Sequence, residues 1–501
     1  MVVVYPHTFP VMVLRFYPGT SYVIAVCPCV IRRLVLVTNV SNDRKGVGGY
    51  SGAYMNDYRA LFEGKRITIL GLGLLGRAVG DAAFLAQLGA QVIVTDMKTE
   101  DELAGSVAQL RQYPHVTFHL GGHDEKDFTD TDMVLKAAGV RIDSPYIAAA
   151  RAAGVPVYMS TALFAKHARE AGATIVGVTG TRGKSTVTHM IYHVLQRSGK
   201  KAFLGGNVRG VSTLAMLPDV QAGDIAVLEL DSWQLQGFGD LHISPQVAVF
   251  TNLLPDHQNY YKDMDEYFSD KANMFKYQKE EDVLVCGDDI EERIKAARPS
   301  AAPQVPPALP ADWVLQIPGE HNRENAALAA AALRGLGLDD TAIKGALESF
   351  TGVEGRLQFV GEMKGIKIYN DNNATTPEAT IAALKALSAP RQSSGHNQNI
   401  ILIMGGADKG LDMNALLYKI AGTCKRVILL AGSGTDRVAP LMADVSIYDD
   451  LSAAVGEALA SASPDDTVLF SPAFASFGMF KNEYDRNDQF LQALKINMTT
   501  V

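Results

Sequence analysis

The stretch GVTGTRGKSTVTHMIYHVL, residues 177–195, places a β-branched run, a glycine-containing loop and a helical pattern in direct succession. The common phosphate-binding pattern G-x-x-x-x-G-K-[ST] would require glycine where the chain has Val178. In a strand–loop–helix of this kind, the loop N–H groups and the helix N-terminus bind phosphate. Lys184 would neutralise the β- and γ-phosphates, and the hydroxyl of Ser185 or Thr186 would reach Mg²⁺. The stretch therefore predicts a nucleotide-binding α/β domain.

Short apolar runs alternate with helical patterns in three sets from Lys65 to the C-terminus. This alternation predicts parallel sheets covered by helices. The expected fold class is α/β, with three consecutive domains: a Rossmann-like domain, a central P-loop ATPase domain and a C-terminal Rossmann-like domain. The predicted boundaries are 1–54 for a disordered leader or mispredicted start, 55–161 for the N-terminal domain, 162–352 for the central domain and 353–501 for the C-terminal domain.

The first 54 residues lack this organisation. Their apolar run SYVIAVCPCVIRRLVLVTNV is interrupted by Pro28 and by Arg32-Arg33, which makes it a poor membrane span. No basic region leads into a single apolar core with a small-residue cleavage site, so a signal peptide is not indicated. Regular organisation begins just after Met55, and we expect the true start there.

Composition limits the classes of function. The chain has 501 residues, a formal net charge of −8 and 47% hydrophobic residues, as expected for a globular protein without a nucleic-acid-binding surface. Its four cysteines have no zinc-ligand spacing and indicate a reducing compartment. We therefore expect a cytoplasmic protein that acts on small molecules, with neither nucleic acid nor membrane as a partner.

A second glycine-rich turn, GLGLLG at residues 71–76, lies between a predicted strand and a predicted helix. Asp96 ends the next strand, where its carboxylate could accept from a ribose hydroxyl. Alone, this pattern fits either a nicotinamide dinucleotide site or a tight turn without a ligand. Which nucleotide binds there depends on the rest of the chain.

Candidate magnesium ligands follow two buried strands of the central set. Glu229 ends the run IAVLELD, and Asp231, two residues later, is its competitor for the same role. His257 follows the next strand, and Lys271 and Lys276 lie in the helical pattern after it. Individually, a lone histidine and a charged helix face are more often structural.

Together these segments resemble the Mur ligase family, whose members form amide bonds in bacterial cell-wall precursors with ATP. The family uses the shortened loop G-T-x-G-K-[ST], present here at residues 180–185. Other segments with family likeness are GGN (205–207), LELDSWQL (228–235), NLLPDH (252–257), NDNNATTP (370–377), GGADKGLDM (405–413) and SPAFASF (471–477). Within the family, the chain looks most like the branch that adds D-glutamate to UDP-N-acetylmuramoyl-L-alanine.

The resemblance implies a role for each site residue. Lys184, His257 and Lys271 would be catalytic; Ser185 and Glu229 would hold one Mg²⁺, and His257 and Lys271 a second, with the lysine as a carbamate. The implied ATP-binding residues are Gly180, Thr181, Arg182, Gly183, Lys184, Ser185, Thr186, Asn325, Arg356 and Asp371. Those implied to bind the UDP-sugar are Gly73, Leu74, Leu75, Asp96 and Asn207. Those implied to bind the amino acid are Thr375, Lys409, Ser476 and Phe477.

The implied reaction phosphorylates the alanine carboxylate with ATP, and glutamate then displaces phosphate from the acyl phosphate. The chain departs from the family pattern at residues 137–139, where Ala-Ala-Gly replaces Ser-Pro-Gly, and at Asn373 and Glu483 in the amino-acid site. Addition of L-glutamate or another amino acid therefore stays open. So does a regulator that binds ATP and a UDP-sugar without catalysis. We expect a monomer.

Overall fold

The computed structural model describes residues 11–17, 20–25, 57–73, 76–256, 260–388 and 398–499. The chain separates into two compact units, residues 1–53 and 54–501. In the first unit, β1 (Val11–Tyr17) and β2 (Thr20–Ala25) pair as an antiparallel hairpin. The prediction for the leader segment and the exact domain boundaries stay predictions. No helix in the described ranges has the length and apolar character needed to cross a membrane.

The first sheet of the second unit has five parallel strands in the order β5-β4-β3-β6-β7. The strands are β3 (Arg66–Leu70), β4 (Gln91–Asp96), β5 (Val116–Leu120), β6 (Met133–Lys136) and β7 (Val157–Tyr158). The helices are α1 (Asp57–Phe62), α2 (Arg77–Gln87), α3 (Ala104–Leu110), α4 (Lys126–Thr129), α5 (Pro145–Ala152) and α6 (Ser160–Glu170). The strand order reverses between β3 and β6, which opens a crevice at the carboxyl ends of the strands.

The second sheet has six parallel strands in the order β13-β12-β11-β8-β10-β9. The strands are β8 (Thr174–Thr179), β9 (Ala202–Gly206), β10 (Ile225–Glu229), β11 (Val247–Phe250), β12 (Val283–Cys286) and β13 (Pro303–Gln304). The helices are α7 (Lys184–Arg197), α8 (Ser232–Asp240), α9 (Met264–Ala272), α10 (Asp288–Ala296), α11 (Glu320–Gly335) and α12 (Asp340–Leu347), and a 3₁₀ helix covers Leu214–Asp219. The central strands β8 and β10 are buried on both faces, which explains their continuous apolar runs.

The third sheet has the order β14-β15-β19-β16-β17-β18. Its strands are β14 (Gln358–Met363), β15 (Ile366–Asn370), β16 (Ile400–Gly405), β17 (Cys424–Leu430), β18 (Ser446–Tyr448) and β19 (Thr467–Phe470). Its helices are α13 (Pro377–Leu387), α14 (Asn414–Ala421), α15 (Ser433–Val438), α16 (Leu451–Ser461) and α17 (Glu483–Thr499), and a 3₁₀ turn covers Ala439–Leu441.

One strand of this sheet differs from the prediction of parallel sheets. β14 pairs with β15 antiparallel. The two strands are joined by Lys364 and Gly365, which both have positive φ, 50° and 80°. A two-residue turn of this hand matches the twist of a hairpin, so the edge strand is added locally rather than through a crossover helix. The three-domain α/β architecture itself is confirmed.

The first two domains pack against each other through apolar side chains, and the third domain has a separate core. One cluster of buried side chains includes Leu163 and Phe164 of α6, Leu214 of the 3₁₀ helix, and Leu235 and Phe238 of α8. The side chains that surround the third sheet form two clusters of their own. The first two domains therefore share a continuous apolar core, and the third has its own.

Candidate active site

The glycine loop after β8 requires glycine at two positions. Gly180 has φ 136°, and a Cβ there would lie 1.9 Å from Thr251 Oγ1. Gly183 has φ 83°, and its Cβ would lie 2.4 Å from Asn325 Oδ1. Both clashes involve packed neighbours, and both φ values are unfavourable for other residues. The loop is thus held closely against β11 and α11, with its N–H groups at the start of α7.

Two lysines converge on this loop. Lys184 Nζ donates to the carbonyl oxygens of Gly180 (3.1 Å) and Thr181 (2.9 Å). Lys271, 1% exposed, donates from Nζ to Gly180 O at 2.8 Å. Burial lowers the pKa of Lys184, and it lowers the pKa of Lys271 to about 7 with a further contribution from the neighbouring Lys184. The predicted phosphate-binding loop therefore lies against one amine, that of Lys271, whose pKa is close to neutrality.

Glu229 ends β10 beside the loop and is 4% exposed. Among the described residues its carboxylate has one hydrogen bond, from Asn207 Nδ2 at 3.4 Å, and no ion pair. Asn207 Oδ1 in turn accepts from Arg77 Nη1 of the first domain at 2.7 Å. A buried carboxylate with so few partners is costly unless a cation binds it, which agrees with the predicted role of Glu229 as a magnesium ligand; that role stays a prediction.

Local geometry distinguishes Glu229 from Asp231. Asp231 is the N-cap of α8: its side chain accepts from Gln234 N at 2.7 Å in a capping box. This use of the carboxylate is structural. His257, the predicted partner of Lys271, lies outside the described residues. Within the described ranges, no three His, Cys, Asp or Glu side chains form a metal-ligand group.

A cavity of about 330 Å³ opens between the central and third domains above the loop. The predicted nucleotide-binding residues that line it are Thr181, Arg182, Gly183, Lys184, Ser185, Thr186, Asn325, Arg356 and Asp371. Asn207 and Glu229 line it as well. Asp371 accepts from Leu357 N and Ser471 Oγ, both at 2.9 Å, and burial raises its pKa to about 7. The structure thus brings nine of the ten predicted nucleotide-binding residues together around one cavity, and Gly180 is not among the residues that line it.

A second cavity, of about 290 Å³, lies in the third domain. It is lined by all four predicted amino-acid residues, Thr375, Lys409, Ser476 and Phe477, together with Arg356 and the two departures Asn373 and Glu483. Lys409 Nζ donates to Thr375 Oγ1 at 2.9 Å. Because Arg356 lines both this cavity and the nucleotide cavity, the two sites adjoin each other.

The third cavity, about 420 Å³, lies at the carboxyl ends of the first sheet's strands. Gly73 and Asp96 line it, and Leu74 and Leu75 lie outside the described residues. The Asp96 carboxylate accepts from the backbone N–H groups of Leu72 (2.8 Å), Gly73 (3.1 Å) and Lys98 (2.9 Å). Asp96 therefore holds the glycine turn and the following loop in place. Its predicted contact with the uridine part of a substrate stays a prediction.

Sequence reasoning missed two residues of this cavity, Arg77 and Lys136. Arg77 bridges to Asn207, as described above. Lys136, 5% exposed, donates to the carbonyl oxygens of Ala137 (3.3 Å), Ala138 (3.4 Å) and Val140 (2.7 Å). Burial lowers its pKa to about 8. Lys136 ends a buried strand, directly before the divergent Ala-Ala-Gly, and this position in the sequence could have indicated that it belongs to the cavity.

Comparison with known families gives three matches in chain order. The profile described as "Mur ligase MurD-like, N-terminal domain" matches residues 65–159. "Mur ligase middle domain" matches residues 178–305, and "Mur ligase, glutamate ligase domain" matches residues 355–474. Each profile falls on one of the three sheets.

Curated relatives cover nearly the whole length. The UDP-N-acetylmuramoylalanine–D-glutamate ligase of Roseiflexus sp. is 35% identical over 471 residues, covering 85% of this chain and 97% of the relative. The ligase of the same name from Borreliella afzelii is 33% identical, covering 84% and 96%. That from Treponema pallidum is 30% identical, covering 88% and 99%.

Solved structures share the fold at lower identity. UDP-N-acetylmuramate-alanine ligase MurC from Thermotoga maritima has a TM-score of 0.54 at 19% identity, covering 86% of this chain and 99% of that one. MurF ligase from Thermotoga maritima, solved in complex with ADP, has a TM-score of 0.52 at 16% identity, covering 90% and 100%. At such identities the likeness concerns the three-domain fold.

Proposed function

This chain belongs to the Mur ligase family, and on that premise we propose that it is an ATP-dependent, ADP-forming ligase that joins D-glutamate to UDP-N-acetylmuramoyl-L-alanine. The product is a precursor of the peptidoglycan cell wall, which connects the activity to cell shape and division. The curated relatives bear the name of this reaction over most of the chain. ATP, the UDP-linked acceptor and the amino acid would each occupy one of the three cavities, in the cytoplasm.

The observation that carries the proposal is the Glu229 carboxylate, which is buried and without an ion pair among the described residues. It lies beside a loop whose Gly180 carbonyl accepts hydrogen bonds from both Lys184 and Lys271 of α9. Asn207 and Arg77 connect this corner to the first-domain cavity, and Arg356 connects it to the amino-acid cavity. The surroundings of Glu229 therefore connect to all three cavities. Such an arrangement suits an enzyme that transfers a phosphoryl group and then joins two substrates.

The donor set fits magnesium. Mg²⁺ is usually bound by one or two carboxylates, with water and substrate phosphates as the other ligands. Glu229 and the Ser185 hydroxyl would hold one ion with the ATP phosphates. The predicted second ion would use Lys271 and His257, of which only Lys271 lies in the described residues. Bound magnesium would disperse the negative charge of the transferring phosphoryl group.

The residues of the chain would act in two steps. In the first, the alanine carboxylate oxygen attacks the γ-phosphorus of ATP, the bond to the β-phosphate oxygen breaks, and ADP leaves. Lys184 and the loop N–H groups stabilise the charge on the phosphoryl oxygens. In the second, the glutamate amine attacks the acyl phosphate carbon, loses a proton and expels phosphate. Lys409 and Thr375 would orient the glutamate carboxylates.

Lys271 would act as a carbamate. A neutral amine adds to CO₂, forms a nitrogen–carbon bond and releases one proton, which yields an anionic oxygen ligand suited to Mg²⁺. With its pKa lowered to about 7, about half of the Lys271 amine is neutral, and so able to react, at pH 7. The carbamate keeps one N–H on Nζ, which can still donate to Gly180 O, while its two oxygens would be free to bind the ion.

A product assay tests the reaction. Phosphate and ADP should be released only when UDP-N-acetylmuramoyl-L-alanine and D-glutamate are both present, and the product mass should equal that of the acceptor plus one glutamate residue. Turnover at full rate without an amino acid would contradict a ligase. Stable binding of ATP and the UDP-sugar with no product would instead favour a regulator.

A second amino-acid substrate has one observation in its favour. Asn373 and Glu483, the two departures from the family pattern, both line the amino-acid cavity. Glu483 adds a negative charge beside Lys409, which changes the electrostatic match to a dicarboxylate. The same assay with L-glutamate, D- and L-aspartate and D-glutamine in parallel decides between the candidates.

The carbamate is tested by chemical rescue. Lys271→Ala should lose turnover and regain part of it with millimolar acetate or propionate, because the missing oxygen ligand is supplied from solution. Lys276→Ala, at an exposed lysine five residues later, is the control and should need no rescue. A near-normal rate in Lys271→Ala would remove this residue from the site.

A further inference from the structure

The first-domain cavity contains an imidazole to which the reaction above gives no role. His123 lines this cavity with Met97 and Lys98, in the loops that follow β5 and β4. These strands lie at the opposite edge of the sheet from β7, after which α6 packs on the central domain. A substrate whose reacting end points towards the central domain would therefore place its nucleotide base near His123.

Three contacts fix the orientation of the His123 ring. Its centroid lies 4.8 Å from that of Tyr146 with an interplanar angle of 71°, and 5.9 Å from that of Phe128 with an angle of 86°. Its Nδ1 lies 2.6 Å from Thr95 Oγ1. A ring held on three sides keeps its remaining nitrogen, Nε2, in one position before any ligand arrives.

The hydrogen bonds assign the tautomer. The Thr95 hydroxyl is fully buried and also lies 3.3 Å from the carbonyl oxygen of Gly122, which can only accept. The hydroxyl has one proton, and we assign that proton to the bond with Gly122 O; on this assignment the hydroxyl accepts from Nδ1–H of His123. Nε2 then bears a lone pair, and no described residue donates to it. Burial lowers the pKa of His123, which keeps the ring neutral at neutral pH.

We propose that Nε2 of His123 accepts the N3–H of the substrate's uracil base and thereby selects uridine over cytidine nucleotides. The inference rests on the proposed function, which supplies a UDP-linked substrate. Uracil has a donor at N3, whereas cytosine has a lone pair at the same position. A fixed acceptor therefore pairs with uracil and opposes cytosine. Met97, 66% exposed, provides an apolar side chain at the same rim against which the base can pack.

Asp96 is the competing acceptor, and its geometry suits another task. Its two carboxylate oxygens receive three backbone N–H groups, from the glycine turn and from Lys98. These bonds join two loops across the carboxyl ends of β3 and β4. We therefore assign Asp96 to positioning the cavity and His123 to reading the base.

Calorimetric titration of the full chain with UDP and with CDP tests the assignment. The wild-type protein should prefer UDP, and His123→Phe should reduce the ratio of the two dissociation constants about tenfold, the value of one hydrogen bond in a buried site. Phenylalanine keeps the packing against Tyr146 and Phe128 but removes both nitrogens. Thr95→Val removes the hydroxyl that holds the proton on Nδ1 of His123, and it should reduce the ratio by a smaller factor. His115→Phe, at an exposed position outside the cavity, is the matched control and should leave it unchanged.

An unchanged ratio in a folded His123→Phe protein would overturn the assignment and return base recognition to Asp96 or the backbone. If that variant fails to fold, UDP methylated at N3 gives the same decision with the wild-type protein, since binding as tight as that of UDP would exclude a bond to N3–H. Failure of the wild-type protein to bind UDP at all would contradict the proposed function itself.

Discussion

The central domain contacts its two neighbouring domains through different kinds of side chain. Towards the first domain, Phe164 of α6, the helix that connects the first and second sheets, belongs to one continuous apolar cluster with Leu85 of α2 and Phe238 of α8. Towards the third domain lies a cavity of about 330 Å³, and Arg209 bridges to α17, 3.2 Å from Asp488. The Arg209 guanidinium also lies over the Tyr484 ring, 4.3 Å from its centroid.

This difference indicates which domain is able to move relative to the other two. Apolar burial makes separation of the first two domains costly, so they are expected to behave as one body. Exposed ion pairs and cation–π contacts contribute little stability and can break and reform with a ligand. The third domain is therefore the one expected to open for ATP and amino acid and to close around the acyl phosphate, which must be shielded from water.

The largest expected effect is at the polar junction and concerns catalysis alone. Lys184→Ala should reduce the rate of phosphate release by on the order of 10³, because the charge proposed to face the transferring phosphoryl group is lost. The thermal unfolding midpoint should change little by comparison. Lys276→Ala serves as the matched control. A loss of only two- or threefold would place the phosphates elsewhere.

A substitution at the apolar junction should lower the stability of the protein. Phe164→Ala removes a fully buried ring and should lower the free energy of unfolding by about 3–5 kcal/mol. Denaturant titration followed by fluorescence measures this change, with Phe477→Ala, at 66% exposure, as the control. If both substitutions cost equally little, the first two domains do not share a cooperative core.

The pH dependence of the reaction rate should test the proposed role of Lys271. Because burial holds the pKa of Lys271 near 7 instead of 10.5, the fraction of neutral amine, the form that the proposed carbamate requires, increases as pH rises through 7. At fixed bicarbonate, the rate should therefore rise about tenfold between pH 6 and 8. Lys271→Ala rescued by acetate should lack this rise, and a rise that persists in the rescued variant would assign it to another group.

The smallest effect compares one ion pair at each junction. Arg209→Ala should change the free energy of unfolding by less than about 1 kcal/mol but reduce kcat/KM several-fold, because the closed arrangement loses a contact. Arg151→Ala removes a similarly exposed ion pair with Asp240 between the first two domains. It should leave both quantities unchanged. Equal kinetic effects would remove the distinction between the junctions.

Much of the fold followed from local patterns. Alternating apolar runs and helical stretches predicted three α/β domains, and the loop at residues 180–185 lies between β8 and α7 as expected. The antiparallel pairing of β14 was missed, because its two-residue turn has neither Asn-Gly nor Asp-Gly but Lys364-Gly365. The predicted nucleotide and amino-acid residues line two adjoining cavities, and their individual roles stay predictions.

Residues that act through long-range contacts gave no local signal. Arg77 looks like any helix-start cation, yet it bonds to Asn207, 130 positions later. His123 is an isolated histidine in a polar loop, and only the approach of Thr95, Phe128 and Tyr146 gives its ring a fixed direction.

Local sequence is enough to predict the order of the elements, the glycine-containing turns and the chemical groups available at each strand end. These depend on backbone conformation and hydrophobic periodicity, which are local properties. That Glu229 faces a cavity while Asp231 caps a helix, and that one domain junction is apolar and the other polar, follows only from the packed structure. Such choices depend on which distant surfaces meet, and on the free energy of removing each side chain from water in that particular contact.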